Sequence, residues 1–596
     1  MFSSIRRLSC AALFLILFLV VPSVDSAEAE EGIEARISPQ LQAQLEKAGA
    51  DGEVTAIVKM KESARIQMHR GDGQAVMSML RETKRVSQAP LVRFLKSENV
   101  MPKVRRIRQF WLDNIMLVRA APEVIEQIAA RPDVERVFEN FTLTLPPMED
   151  SDRPLLQQSQ NQLWDSIDKI GAKQVWSSYG IDGTGVVIGG IDTGVDISHP
   201  DLTGKMVTND PSDPTYPGGW AEFDSEGNMI SGSVPHDSDE HGTHTSGTMI
   251  GGNASGYDIG VAPGAKLMHA LVIPGGSGSF AQVIAGMEWI IDPDGDPATD
   301  DGCDIVNMSL GATGTHSAMI TPVDNMIAAN VFPAISIGNS GPGSATTGSP
   351  GNVPSAFGVG AVDSSDVIAG FSSRGPVTWD NPPYVGTYTK PDISAPGVKI
   401  YSTVPGGDWQ WYGAGFEWSG TSMAAPHMAG TAALMYQANP TIDVEVAKQL
   451  VAQTALELGD PGMDNDYGWG RVNAYASVTA ALAGVGTLEG TVYSSAGGTV
   501  ENAMILLTDT GQKVYSGPDG TFSMQAVAGS HPIEVSRFGY ETTSDNITIT
   551  ADETLIYDVT LNQLPSGTIA GFVTDQVTGE GIEADITVKL AGEAVV

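Results

Sequence analysis

The chain has 596 residues, 41% of them hydrophobic, which is too long for one core and apolar enough for several, so at least three folded units of roughly 100 to 200 residues are expected. The net charge of −38 is uneven: residues 1–150 hold 20 of the 33 Lys and Arg and 20 of the 71 Asp and Glu, so the remainder carries the whole acidic excess. That excess argues against a nucleic-acid partner and fits a protein soluble outside the cell or in calcium-containing media.

Arg6 and Arg7, the apolar run from Leu8 to Val21 and the small residues up to Ala27 read as a secretory signal peptide over residues 1–27. The expected location is therefore secreted and extracellular, with cell-surface association left open. The alternative, an uncleaved anchor, needs a longer apolar run, and no later segment is apolar enough for stable membrane insertion. The only cysteines are Cys10, inside that leader, and Cys303, which is then expected as a buried structural thiol. Without disulfides, rigidity must come from a large core or bound cations.

Residues 28–145 read as an α+β unit. Val54 to Met60 alternates as a half-buried strand, and helical spacing runs from about Gly73 to Arg108. Trp111 to Val118 looks extended, Pro122 to Ala130 helical, and Val134 to Phe138 extended again. Residues 146–162, rich in Pro, Asp, Ser and Gln, suggest an exposed linker.

Over residues 163–484, short apolar runs alternate with helical patterns. Val186–Ile191, Lys266–Leu271, Ile305–Ser309 and Phe332–Ile337 fit buried parallel strands, and Gln282–Ile291 and Ser422–Gln437 fit helices. The expected fold class is α/β, a doubly wound, mostly parallel sheet whose strand ends supply the site. Beyond Gly484 the pattern changes to short strands and Thr and Gly turns, and Gly486–Val492 recurs in form as Gly567–Val573. This predicts a β-sandwich over 485–563 and a partial second β module over 564–596, too short to be whole.

Three segments carry chemistry-bearing residues in a fixed order: Val187-Ile188-Gly189-Gly190-Ile191-Asp192-Thr193-Gly194, then Asp237-Ser238-Asp239-Glu240-His241-Gly242-Thr243-His244, then Ser419-Gly420-Thr421-Ser422-Met423-Ala424-Ala425-Pro426. A fourth is Ile335-Ser336-Ile337-Gly338-Asn339-Ser340-Gly341. Rival readings lack parts. An aspartic protease would need a second Asp-Thr-Gly, a zinc hydrolase a glutamate and third ligand beside His241 and His244, and a dinucleotide loop glycines after the strand.

Together the four segments resemble the subtilisin-like serine proteases (subtilases, peptidase S8), over about 320 residues. The resemblance implies a serine endopeptidase acting on proteins or peptides through an acyl-enzyme. Ser422 would be the nucleophile, His241 the general base and then acid, Asp192 the carboxylate that orients and stabilises the imidazole, and Asn339 an oxyanion donor beside the Ser422 N–H. Ser309, Leu310 and Gly311 match the segment lining the pocket for the residue before the cut, and Gly275 to Gly278, Gly278 included, matches the opposing edge. Residues 28–145 are similar to the inhibitor-like propeptide that precedes many such enzymes, which would make the chain a self-processed zymogen inhibited by its own propeptide; an ordinary binding domain remains the other reading. Ser516–Phe522 and Gly539–Thr542 resemble a carboxypeptidase regulatory-like domain of unstated ligand. No cofactor is needed for the chemistry, but structural calcium is expected at two places. Asp201 matches a family calcium ligand, although Ala254 stands where a ligating amide is usual. Asp292, Asp294 and Asp296, with Asp300 and Asp301, have EF-hand-like spacing without the closing glutamate. A catalytically silent binding protein displaying its β modules is the rival of a different class.

Overall fold

A computed structural model describes residues 36–49, 52–64, 73–146, 164–207, 219–410, 412–413, 416–509, 513–565, 589–590 and 593–594. The leader, the linker from 147 and most of the second β module lie outside the described residues.

The N-terminal unit begins with α1 (Pro39–Ala48), whose start is fixed by Ser38 accepting the Leu41 N–H and whose end falls at Gly49, φ 65°. It continues through β1 (Val54–Met60), α2 (Gly73–Ser87), α3 (Ala89–Leu95), β2 (Val104–Gln109), β3 (Ile115–Ala120), α4 (Pro122–Ala129) and β4 (Val134–Glu139). The sheet order is β2-β3-β1-β4, antiparallel throughout. Two features depart from the sequence reading. The helix α1 was not expected, although Ser38-Pro39 and Gly49 mark its ends. Residues 104–109 form an edge strand rather than the end of a helix, because β3 supplies a pairing partner that local spacing does not reveal.

A short strand, β5 (Thr142–Thr144), leaves this unit and pairs with the next. There, β6 (Val187–Asp192), β7 (Trp220–Glu222), β8 (Lys266–Leu271), β10 (Ile305–Met308), β11 (Phe332–Ser336), β12 (Phe357–Val362) and β13 (Ile393–Pro396) form one sheet in the order β13-β12-β11-β10-β6-β8-β7. Every pairing in it is parallel, as a sheet covered on both faces should be. The helices α5 (His241–Ile250), α6 (Phe280–Ile291), α7 (Ile320–Ala328) and α8 (Thr421–Ala438) belong to this layered unit. The strand order reverses at β6, flanked by β10 and β8, which makes its C-terminal end the crevice where an α/β sheet offers a site. Between β8 and α6 lies β9 (Ser277–Ser279), the partner of β5.

The two units share apolar contacts: Ile57, Val76, Leu80 and Phe110 join the same buried cluster as Ile188, Ile284 and Ile305. Residues 485–565 form two packed sheets. One contains Val485–Ser494, Thr521–Val527, Thr554–Ile556 and Val559–Leu561; the other contains Met504–Leu507, Lys513–Tyr515, Gly529–Ser536 and Thr543–Ile549. Leu488, Ile505, Phe522, Val535 and Leu561 fill the space between them. Cys303 is buried and free, with burial pushing its thiol up, away from the reactive thiolate. Among the described residues, no helix is long and apolar enough to cross a membrane.

Candidate active site

Strand β6 ends in Asp192, whose side chain is fully buried. Its Oδ1 accepts the Thr193 N–H at 2.8 Å and lies 2.7 Å from His241 Nδ1, and Thr245 Oγ1 donates to Oδ2 at 3.2 Å. An ionised carboxylate in this place fixes Nδ1 as the protonated nitrogen and leaves Nε2 as the acceptor. Burial by itself would push the His241 pKa down. The charge and hydrogen bond of Asp192, with the charges of Asp237 and Asp239, outweigh it and hold the value above the usual histidine range.

The loop before α5 is tied to the strand by Asp237. Its Oδ1 accepts Thr193 Oγ1 at 2.8 Å, while its Oδ2 accepts the Thr243 N–H and Oγ1 at 2.7 and 2.6 Å. Gly194, at φ 118°, passes so close to this loop that a Cβ would stand 2.0 Å from the His236 carbonyl. His244 does not join a metal pair. It stacks on Trp418 at 4.4 Å, points Nε2 at the Ile400 carbonyl, and is held neutral by burial with a pKa of about 3.

Ser422 lies in the first turn of α8, which packs along α5. Its carbonyl would ordinarily accept from the N–H four residues on, but that residue is Pro426, which has none. Ser309 Oγ donates to that carbonyl instead at 3.0 Å, and Asn307 Nδ2 donates in turn to Ser309 Oγ at 3.1 Å. Ser309, expected to line the substrate pocket, thus anchors the turn that bears Ser422. The Ser422 hydroxyl is directed at the Ser309 carbonyl, 3.3 Å away, while His241 Nε2 is buried without a hydrogen-bond partner. No hydrogen bond joins the Ser422 hydroxyl to the His241 ring here, a common state before substrate is bound.

Asn339 follows β11. Its Oδ1 accepts both the Thr421 N–H (2.9 Å) and Thr421 Oγ1 (2.8 Å), so the amide cannot turn over. The Nδ2 group is therefore presented at the turn bearing Ser422, where a Cβ on Gly420 would come within 3.1 Å of it. A side chain at Gly420 would press the Asn339 amide aside by a few tenths of an ångström, while its φ of 173° is extended and makes no demand for glycine. Thr421 is a positioning residue that sequence reasoning did not single out; its place beside Ser422 was the available signal.

The expected substrate edges face each other and hold residues 142–145 between them. Thr142, Leu143 and Thr144 stand opposite Ser279, Gly278 and Ser277, the Leu145 N–H donates to the Gly276 carbonyl at 3.0 Å, and Thr144 and Gly311 exchange two bonds of 2.9 Å. Leu143 is fully buried, and Pro146 shares a small pocket with Leu310, Gly311 and Asn339.

The calcium expectations fare unequally. Both oxygens of Asp201 are taken by protein donors, Oδ1 by the Ala254 N–H at 2.7 Å and Oδ2 by Trp409 Nε1. Each oxygen of Asp201 thus carries one protein donor, which leaves one lone pair on each for any further partner. Asp296 faces solvent and accepts the Ala298 N–H, whereas Asp301 joins Asp292 and Asp294 within 4.8 Å.

The Subtilase family profile matches residues 183–470, and the Carboxypeptidase regulatory-like domain matches 487–562. Bacillopeptidase F of Bacillus subtilis (strain 168) is 33% identical over 79% of this chain and 34% of its own, so the chain spans about a third of that relative's length. Subtilisin of Bacillus pumilus is 35% identical over 50% of this chain and 93% of its own. Among solved structures, fervidolysin from Fervidobacterium pennivorans, described as a keratinolytic enzyme related to subtilisin, covers 86% of this chain and 78% of its own at 21% identity and a TM-score of 0.50, a likeness of fold.

Two outcomes follow from this geometry. Asn339→Ala should lower kcat about 10²- to 10³-fold with the thermal midpoint little changed, read by steady-state kinetics and calorimetry. Asp239→Asn removes a negative charge that favours the imidazolium, so His241 should lose its proton more readily. The acid limb of kcat/KM should then move to lower pH, by on the order of a few tenths of a unit.

Proposed function

The chain belongs to the subtilase family of serine proteases, and from that premise we propose that it is a secreted endopeptidase made as a zymogen, with residues 28 to about 146 blocking the cleft until self-cleavage. The observation that carries this reading is the strand at residues 142–145, which occupies both substrate edges with antiparallel bonds and delivers its end to the side of Asn339. A substrate held the same way would bring its scissile carbonyl over Ser422.

The chemistry then uses groups already in place. His241 Nε2 accepts the Ser422 proton as Oγ attacks the carbonyl carbon, and Asp192 stabilises the imidazolium that forms. Asn339 Nδ2 and the Ser422 N–H face the developing oxyanion at the positive end of α8. The imidazolium returns its proton to the leaving amine, and water repeats the sequence to release the acid.

Inhibition by the N-terminal unit is supported by a polar seam. Glu288 on α6, fully enclosed, accepts the Trp111 and Leu112 N–H groups, and Asn325 on α7 donates to the Leu112 carbonyl. Burial pushes the Glu288 carboxyl up to about 7, against those amides and the charges of Lys84 and Arg108. Lys59, paired with Asp113 of its own unit, donates across to Thr321 Oγ1 at 3.0 Å, Arg106 and Arg119 both reach Glu226 at 2.8 Å, and Arg136 donates to Ser317 at 2.8 Å. The basic residues of the N-terminal unit thus meet the acidic side of the seam.

Expression of Ser422→Ala should leave full-length precursor where the wild type yields a product starting near residue 147, read by mass spectrometry. Identical processing of both would refute self-cleavage, and failure of a serine-directed phosphonate to label the wild type would favour a silent binding protein. In the Ser422→Ala background, Glu288→Ala strands two buried amides, a cost of about 1–3 kcal/mol each. Hydrogen exchange at Trp111 and Leu112 should accelerate accordingly.

A further inference from the structure

The loop after α6 presents Asp292, Asp294 and Asp301 with carboxylate oxygens within 4.8 Å of one another. Oxygens bound at about 2.3–2.6 Å to one calcium ion are separated by no more than about 5 Å, so this spread suits a shared hard cation. Asp292 is only 4% exposed, and its Oδ1 is buried with no hydrogen-bond partner. Burial raises the carboxyl pKa values of Asp292 and Asp301, and the neighbouring carboxylates add to both shifts, with Asp294 acting on each.

One cation already touches this group. The Arg81 guanidinium, on α2 of the N-terminal unit and 4.7 Å over the Trp111 ring, pairs with Asp292 Oδ2. Gln74, on the same helix, donates to the Ala298 carbonyl of the same loop at 3.2 Å. The acidic loop is therefore part of the seam, and its deepest carboxylate is divided between a side chain of the N-terminal unit, at Oδ2, and an Oδ1 with no hydrogen-bond partner among the described residues.

We propose that Asp292, Asp294 and Asp301 form a divalent-cation site, of the calcium type, that is negatively coupled to the N-terminal unit through the Arg81–Asp292 pair. The ion is bound through Asp292 Oδ1 and the carboxylates of exposed Asp294 and half-buried Asp301. Arg81 places a positive charge beside it and weakens its binding. Coupling is reciprocal, so the ion weakens the hold of the N-terminal unit by the same factor. After Arg81 leaves, the ion supplies the positive charge that three crowded carboxylates lack. The release half of this inference rests on the zymogen reading; the binding half does not.

The test uses the intact chain carrying Ser422→Ala, which needs no activity or processing. Calorimetric titration with calcium, and terbium luminescence excited through Trp289, which lines a cavity with Asp294 and Asp301, report the site. Asp301→Asn and, separately, Asp294→Asn should each remove one bound ion and the terbium signal. Arg81→Met should tighten calcium at this site on the order of tenfold. Unchanged stoichiometry and luminescence in both aspartate variants would overturn the site. Loss of the ion in those variants with unchanged affinity in Arg81→Met would overturn the coupling.

Discussion

A carboxylate buried at the end of a central strand is the constraint on which the catalytic unit depends. Asp192 has no exposed surface, so its charge is tolerable only because an N–H, a hydroxyl and an imidazole converge on it. That requirement fixes where α5 begins, because His241 must meet Oδ1 from the helix's first residue. It also explains the bonding around Thr193, which donates to Asp237 and accepts from the Gly242 N–H at 2.8 Å, binding strand end to helix start. The crevice at the reversal of strand order gives these polar groups a place that is dry yet reachable.

The turn that bears Ser422 is positioned by an omission. Pro426 cannot bond the Ser422 carbonyl, and the freed carbonyl receives Ser309, a residue of the substrate edge. Thr421 is coupled in the same manner to Asn339. The turn of Ser422, Asn339 and Ser309 therefore form one hydrogen-bonded assembly, whose parts come from α8, the end of β11 and the end of β10.

The cleft itself is lined by strand edges, at Gly276–Ser279 and Gly311, whose outward N–H and C=O groups can pair with an extended chain. In this molecule residues 142–145 reach it first. The N-terminal unit holds that strand in place with a hydrophobic contact, Phe141 stacked on Phe280 at 4.8 Å, and with the charged seam that includes Glu226, Glu288 and Asp292. The excess acidity of the catalytic unit thus has a local partner in the basic residues that precede it.

The sequence by itself determined the family, the core strands of the parallel sheet and the C-terminal β-strand domain, and it singled out Asp192, His241, Ser422 and Asn339 as candidates, because apolar runs and short motifs are local in the chain. Only the tertiary structure decided that residues 104–109 pair as an edge strand, that Thr421 locks Asn339, and that Asp301 rather than Asp296 meets Asp292. It likewise decided that Asp201 is satisfied by Trp409, more than two hundred residues away in the chain, and that Glu288 receives the Trp111 and Leu112 amides. Each of these depends on which distant donor or strand arrives at a given atom, and hydrogen-bond satisfaction across such separations leaves no periodic trace in a sequence.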